Sequence, residues 1–253
     1  MSWFCDQRRM PCFDAIAALT ACTIAETAVA NLPRNPDTDQ RRSRAMARPS
    51  KPLINRDGAV AAALEIIDGE GLEAFSLPRL ARSLGVTAPA LYHHFADKSE
   101  ILAEVARAIV LQTRIPRRPA SGQWQDWIVA YGLNFRKAVL RHRKAAAVLL
   151  QFLPADIVTD MWEETAIYLE ESGVPTQLHV PILNGVEKLT LGAIVAEAMR
   201  PESQQAAVFA NVNAAEHPVL SAALESNQST PRQLYEQMMR NFLFGVTHEN
   251  RVG

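Results

Sequence analysis

From Asn55 onward nearly every segment of this 253-residue chain spaces its apolar residues at helical intervals, and no run alternates as a half-buried strand would. The pattern confines the fold to the all-α class. A first helix is expected over about 56–68, with Val60, Leu64 and Ile67 on one face and Gly69 or Gly71 ending it. A second, short helix follows Ser76, read as its N-cap, and turns Leu77, Leu80, Ala81 and Leu84 inward. Gly85 supplies the left-handed residue that a tight interhelical turn needs. Thr87 is then read as the cap of a third helix with Pro89 in its first turn, where the missing amide hydrogen does no harm. Asp97 and Glu100 form a D-x-x-E capping pattern that starts a longer fourth helix reaching about Arg114.

Two short helices joined by a glycine turn describe a helix-turn-helix, whose second helix can lie in the DNA major groove. On that helix Ala88, Leu91 and Phe95 share the inward face, so Pro89, Ala90 and His93 form the outer one. Tyr92 and His94 fall on the flanks, where a phenol or imidazole hydrogen reaches phosphate rather than base edges. Taken alone, Tyr-His-His suits an ordinary bundle surface; the Gly85 turn, the Thr87 cap and Lys98 at the next helix start favour the DNA reading.

The stretch INRDGAVAAALEIIDGEGLEAFSLPRLARSLGVTAPALYHHFADKSEILAEV resembles the DNA-binding domain of the tetracycline-repressor (TetR) family over about 50 residues in continuous register. The resemblance implies that Thr87, Pro89, Ala90, Tyr92 and His94 occupy recognition-helix positions. It further implies that Arg79 supports them from the preceding helix and that Lys98 binds phosphate. One departure is that the outer face carries no Arg, Asn or Gln for bidentate base contacts. Specificity is therefore expected to rest on thymine-methyl packing, His93 and DNA shape.

The formal net charge is only −1, yet Arg41, Arg42, Arg44, Arg48 and Lys51 cluster without an acid among them. That arm is a candidate for phosphate contact beside a nearly neutral DNA head, or simply a solvated run. Cys5, Cys12 and Cys22 all precede it, so the remainder must fold without a disulfide or thiolate metal site, as suits a reducing cytoplasm. The apolar stretch 13–32 looks like an export signal, but Asp14 and Glu26 interrupt it. No window has the roughly 18 uninterrupted apolar residues of a membrane span. Met46 opens MARPSKPLINRDGAV like a natural start, so residues 1–45 are expected to be an upstream extension.

RIPRRPASG, ending at Gly122, breaks the helical pattern and marks a boundary. The expected division is an extension with its basic arm over 1–52, a DNA-binding domain over 53–114, and a helical ligand-binding and dimerisation domain over 115–253. In this last region helices are expected near 123–142, 144–151, 156–172, 176–199, 203–226 and 231–246. It is rich in large apolar residues, which fill a core and can also line a pocket between bundle helices. The family resemblance implies an inducer or co-repressor site here. Candidate lining residues are Trp127, Tyr131, Phe135 and Trp162, with His179, Asn184 and Glu187 as polar contacts and Pro181 expected to kink their helix.

Gly185, Leu189, Gly192 and Ala196 lie close to one helix face, and Leu234, Met238 and Phe242 form a stripe on the last helix, whose start Thr230 and Gln233 cap. Intramolecular packing explains both stripes equally well. The family's usual arrangement pairs these helices with their symmetry mates in a homodimer. The expected function is thus a ligand-responsive repressor that binds a palindromic operator on double-stranded DNA, with a small effector and no cofactor, metal or membrane partner. Competing classes are a dimeric interaction protein without DNA reading and a helical-bundle enzyme. Against the enzyme, G-x-S-x-G, H-E-x-x-H and phosphate-loop motifs are missing, and adjacent His93 and His94 diverge by about 100° on a helix.

Overall fold

The computed structural model describes residues 55–119, 123–201, 203, 209 and 212–248. The basic arm, the cysteines and Met46 lie outside them. Among the described residues the regular structure is entirely helical: α1 (Arg56–Glu70), α2 (Leu77–Ser83), α3 (Ala88–Leu91), α4 (Lys98–Leu111), α5 (Trp124–Val139), α6 (Leu149–Phe152), α7 (Ala155–Glu171), α8 (His179–Ala198), α9 (Pro218–Ser226) and α10 (Pro231–His248). No single one of these helices is long and apolar enough to cross a membrane.

Local signals fix several ends. Asn55 caps α1 by accepting from the Asp57 amide, and Gly71, at φ 93°, ends it. The Asp97 carboxylate accepts from the Glu100 amide at 2.9 Å, while Glu100 accepts from the Ala96 amide at 2.6 Å. Thr230 and Gln233 exchange the corresponding bonds at the start of α10. Ser76 and Thr87 hold the N-cap positions of α2 and α3 with extended backbone, but neither side chain makes the expected capping bond.

Differences from expectation are concentrated in the bundle. Residues Leu140–Val148 form a 3-10 segment, not the start of an α-helix, with a non-helical break at His142 (φ −121°, ψ 50°). α8 begins at His179 after a 3-10 turn over Thr176–Leu178, so Pro181 sits in its first turn and kinks nothing. Of the helix expected over 203–226, the described residues 212–217 are not helical, and α9 begins only at Pro218.

The apolar faces converge on one continuous core. Ile67, Phe75, Leu80, Leu91, Phe95, Ile101 and Ile109 are fully buried in its N-terminal part, and Leu149, Leu169, Ile182, Ile194 and Met239 in its C-terminal part. α4 contributes to both, and the 3-10 segment packs on α1 as well as on α5 and α8. A buried ion pair ties the bundle internally: Arg136 Nε donates to Glu197 Oε2 at 2.8 Å, and Arg143 donates to the Glu197 carbonyl at 2.8 Å.

Candidate DNA-binding face and ligand cavity

α2 ends in a Schellman turn: the Val86 amide donates to the Ala81 carbonyl at 2.9 Å and the Gly85 amide to the Arg82 carbonyl at 3.2 Å, with Gly85 at φ 66°. This closure turns the chain into α3, which has a single helical turn. Leu91 and Phe95 are buried beneath it, Ala88 is half-buried, and Thr87, Pro89 and His93 are exposed, as the spacing predicts. Tyr92 is 56% exposed, a large aromatic surface for a residue with nothing to cover it in the isolated chain. Tyr92, His93 and His94 lie in the turn that continues α3, not in the helix itself, and the His94 and Phe95 amides both donate to the Leu91 carbonyl at 2.9 Å. Ala90 and His94 are half-buried beside them.

Arg56 holds this turn in place. Its guanidinium donates to the His94 carbonyl and to Glu100, each at 2.5 Å, reaches Glu104 at 3.3 Å, and covers the Phe95 ring at 4.6 Å. The hydrogen bond to Glu100 raises the Arg56 pKa, and the Ala96 amide, followed by Arg56, lowers that of Glu100. Lys98 is exposed at the first position of α4, with its ammonium 5.5 Å from the Phe75 ring centroid. Arg79 is ion-paired to Glu70 on α1 and so braces α2 from behind.

The second feature is a cavity of about 90 Å³ between α5, α7 and α8, with Val110 of α4 in its wall. Trp127, Tyr131, Phe135, Trp162 and Glu187 all line it, as the sequence suggests. Trp127 and Tyr131 stack at 5.6 Å between centroids, and the Trp127 indole donates to the Pro116 carbonyl at 2.9 Å. Burial raises the pKa of the Tyr131 phenol. Trp162 Nε1 is buried without a hydrogen-bond partner among the described residues. The volume is below the ~150 Å³ of an engineered cavity that holds benzene, so a larger guest enters by displacing part of the wall.

Two expected ligand contacts are corrected. His179 is buried outside the cavity, with Nε2 3.0 Å from the Val174 carbonyl, where it secures the turn before α8. Asn184 is exposed and accepts from Lys188 at 2.6 Å, one turn along the same helix. Sequence reasoning overlooked Thr165 and Thr190, which also line the cavity. Both hydroxyls are occupied, Thr165 donating to the Met161 carbonyl at 2.7 Å and Thr190 sharing a 3.0 Å bond with the Tyr235 hydroxyl. Their helical spacing from Trp162 and Glu187 was the available signal.

α8 and α10 pack side by side. Within the chain Gly185 lies against the Phe242 ring, so close that a Cβ on Gly185 would overlap it. Leu189, Leu234, Met238 and Phe242 are half-buried, while Gly192 and Ala196 are exposed. The first part of the two stripes is therefore satisfied internally, and an apolar margin is left facing outward.

Residues 59–105 match the family of bacterial regulatory proteins called tetR, and residues 116–247, more than half of the chain, match the tetracyclin repressor-like C-terminal domain. The class D tetracycline repressor protein of Escherichia coli is 30% identical over 143 residues; the match covers 56% of this chain and 66% of that repressor, just under two thirds. The TetR family protein ActR from Streptomyces coelicolor, solved with actinorhodin, shares the fold with a TM-score of 0.62 at 23% identity, covering 76% of this chain and 96% of ActR. BioQ, solved with its double-stranded DNA operator, has a TM-score of 0.52 at 26% identity, covering 69% of this chain and 99% of BioQ. With both regions matched in order, the chain belongs to the tetR family of bacterial regulatory proteins, a family of ligand-responsive DNA-binding transcriptional regulators.

Proposed function

We propose that this chain is a cytoplasmic repressor, not an enzyme, that binds a palindromic operator as a homodimer and is released by a small apolar or amphipathic effector. The observation that carries the reading is the exposed ridge of Thr87, Pro89, Tyr92 and His93 on a turn braced from behind by Leu91, Phe95 and Arg56. A rigid outer face over a buried inner one is what groove docking needs. Pro89, Ala90 and His93 meet base edges or thymine methyls, while Thr87, Tyr92, His94 and Lys98 reach phosphates and Arg79 supports the head. BioQ, which shares this architecture, is solved on DNA, and that supports the assignment.

The division of labour is a DNA-binding head over 53–114 and an effector and dimer bundle over 115–253. The outward margin of Leu189, Gly192, Ala196, Leu234 and Met238, beside the internally packed Gly185 and Phe242, pairs two protomers, so that two heads meet operator half-sites about 34 Å apart. α4 is the link between ligand and DNA. It carries Lys98 at one end and Val110 of the cavity wall near the other, about 18 Å along a single helix. An effector that displaces Val110 tilts the head, and it releases DNA to the extent that it prefers the tilted dimer.

The test is selection of bound fragments from random-sequence DNA by the purified full chain. A recovered palindrome that is lost with Tyr92→Ala supports the repressor reading. Recovery of only non-specific, salt-sensitive binding overturns it in favour of an interaction protein.

A further inference from the structure

Apart from the Tyr131 phenol and the unpaired Trp162 indole N–H, the polar groups of the cavity lining fall into two kinds. Thr165 and Thr190 are already hydrogen-bonded. Glu187, the one carboxylate in the lining, has no ion-pair or hydrogen-bond partner among the described residues. Basic residues of the bundle engage other partners. Lys188, its neighbour in sequence, binds Asn184; Arg136 and Arg143 hold Glu197; Arg118 pairs with Glu164 and Glu171 while lying over Trp127 and Tyr168. A single carboxylate thus shares a largely apolar chamber with the rings of Trp127, Tyr131, Phe135 and Trp162.

We propose that the effector is an organic cation: a compact aromatic body carrying a protonated amine that pairs with Glu187. The inference rests on reading the cavity as the effector site and adds a charge to that reading. Two physical effects favour a cation over a neutral or anionic guest of the same shape. A half-buried carboxylate gives a stronger hydrogen bond to an ammonium than to a hydroxyl, and it repels a second carboxylate. Aromatic faces add their own attraction for a cation, most strongly where water is excluded. The aromatic body in turn packs against the apolar wall.

The measurement is calorimetric titration of the full-length, DNA-free protein with three probes of one shape: naphthylethylamine, neutral naphthylethanol and anionic naphthylacetate. The amine is expected to bind at least ten-fold more tightly than the alcohol, about 1.4 kcal/mol, and the acid most weakly. Glu187→Gln is expected to abolish the amine's advantage over the alcohol, and an unchanged circular dichroism spectrum of the variant reports that its fold is intact. Equal or tighter binding of the acid, an unchanged amine-to-alcohol ratio in Glu187→Gln, or no amine binding at its solubility limit would each overturn the proposal. Since no DNA is present, these outcomes are independent of the operator selection. A protein that binds the amine through Glu187 but selects no palindrome keeps this inference and loses the repressor reading.

Discussion

His142 Nδ1 lies 2.6 Å from Asp68 Oδ2, joining the 3-10 segment of the bundle to the end of α1, while its Nε2 lies 3.1 Å from Gln112 Oε1 just past α4. Lys144 reinforces the joint by donating to the Gly69 carbonyl at 2.6 Å. One imidazole therefore links the DNA-binding head, the linking helix and the bundle.

Replacing His142 with Ala is expected to destabilise the protein by about 1–3 kcal/mol, because the half-buried Asp68 already has one oxygen without a partner and would lose the partner of the other. The same change should weaken the transmission of ligand binding to the operator. The check is urea denaturation together with operator affinity measured with and without a saturating effector. A variant that is destabilised but retains the full effector response would confine His142 to a structural role.

At the contact between Gly185 and Phe242, Gly185→Ala should cost about 1–3 kcal/mol by overpacking, since the added methyl meets a ring and not the end of a flexible chain. Phe242→Leu should restore most of that loss when combined with it, which denaturation of the two single variants and the double variant would reveal. Additive losses would mean that the cost of the added methyl does not arise at the Phe242 ring.

The helix-turn-helix was legible because its signals are local. Gly85, Asp97 and Glu100 act within a few residues of themselves, and each behaves as its sequence position implies. What was not legible depends on partners far away in the chain. Leu140–Val148 contains good helix formers, yet the chain breaks at His142, whose ring bonds Asp68, 74 residues earlier. In the cavity, choosing large aromatics succeeded because they have few other places to go. Choosing polar residues by type failed for His179 and Asn184, which spend their hydrogen bonds on Val174 and Lys188 nearby. Glu187 and Asn184 are close on one helix, and only the packed neighbours decide which of them meets the cavity.

The Arg136–Glu197 pair is nearly enclosed, with side chains 15% and 10% exposed. Arg136→Met should therefore cost about 3–5 kcal/mol, because it strands a carboxylate in the core. Adding Glu197→Leu should recover a large part of the loss, since the pair's own attraction is offset by the cost of burying its charges. Urea denaturation at one fixed protein concentration measures this, fixed because the proposed dimer would contribute to apparent stability. A double variant no more stable than Arg136→Met would show that the ionic network, including the Arg143 contact, does more than neutralise charge.

Acid should loosen the DNA-binding head through Glu100. Its folded-state pKa is held below the ordinary value of 4.5, first by the Ala96 amide and then by Arg56. A carboxylate with a depressed pKa contributes stability that is present above its unfolded value and is lost as pH falls through the folded one. The contribution is thus full at neutral pH and declines from about pH 4.5 downward. Glu100→Gln should lower stability at pH 7 and flatten the acid limb of the profile, while leaving the curve above pH 6 parallel to that of the parent chain. Since Glu100 also receives Arg56, which holds the His94 carbonyl, the same variant should loosen the turn bearing Tyr92 and weaken operator binding at pH 7. Melting curves from pH 3 to 8, read beside operator affinity, test both consequences. An acid limb identical to that of the parent chain would mean that other carboxylates set the acid sensitivity of the head.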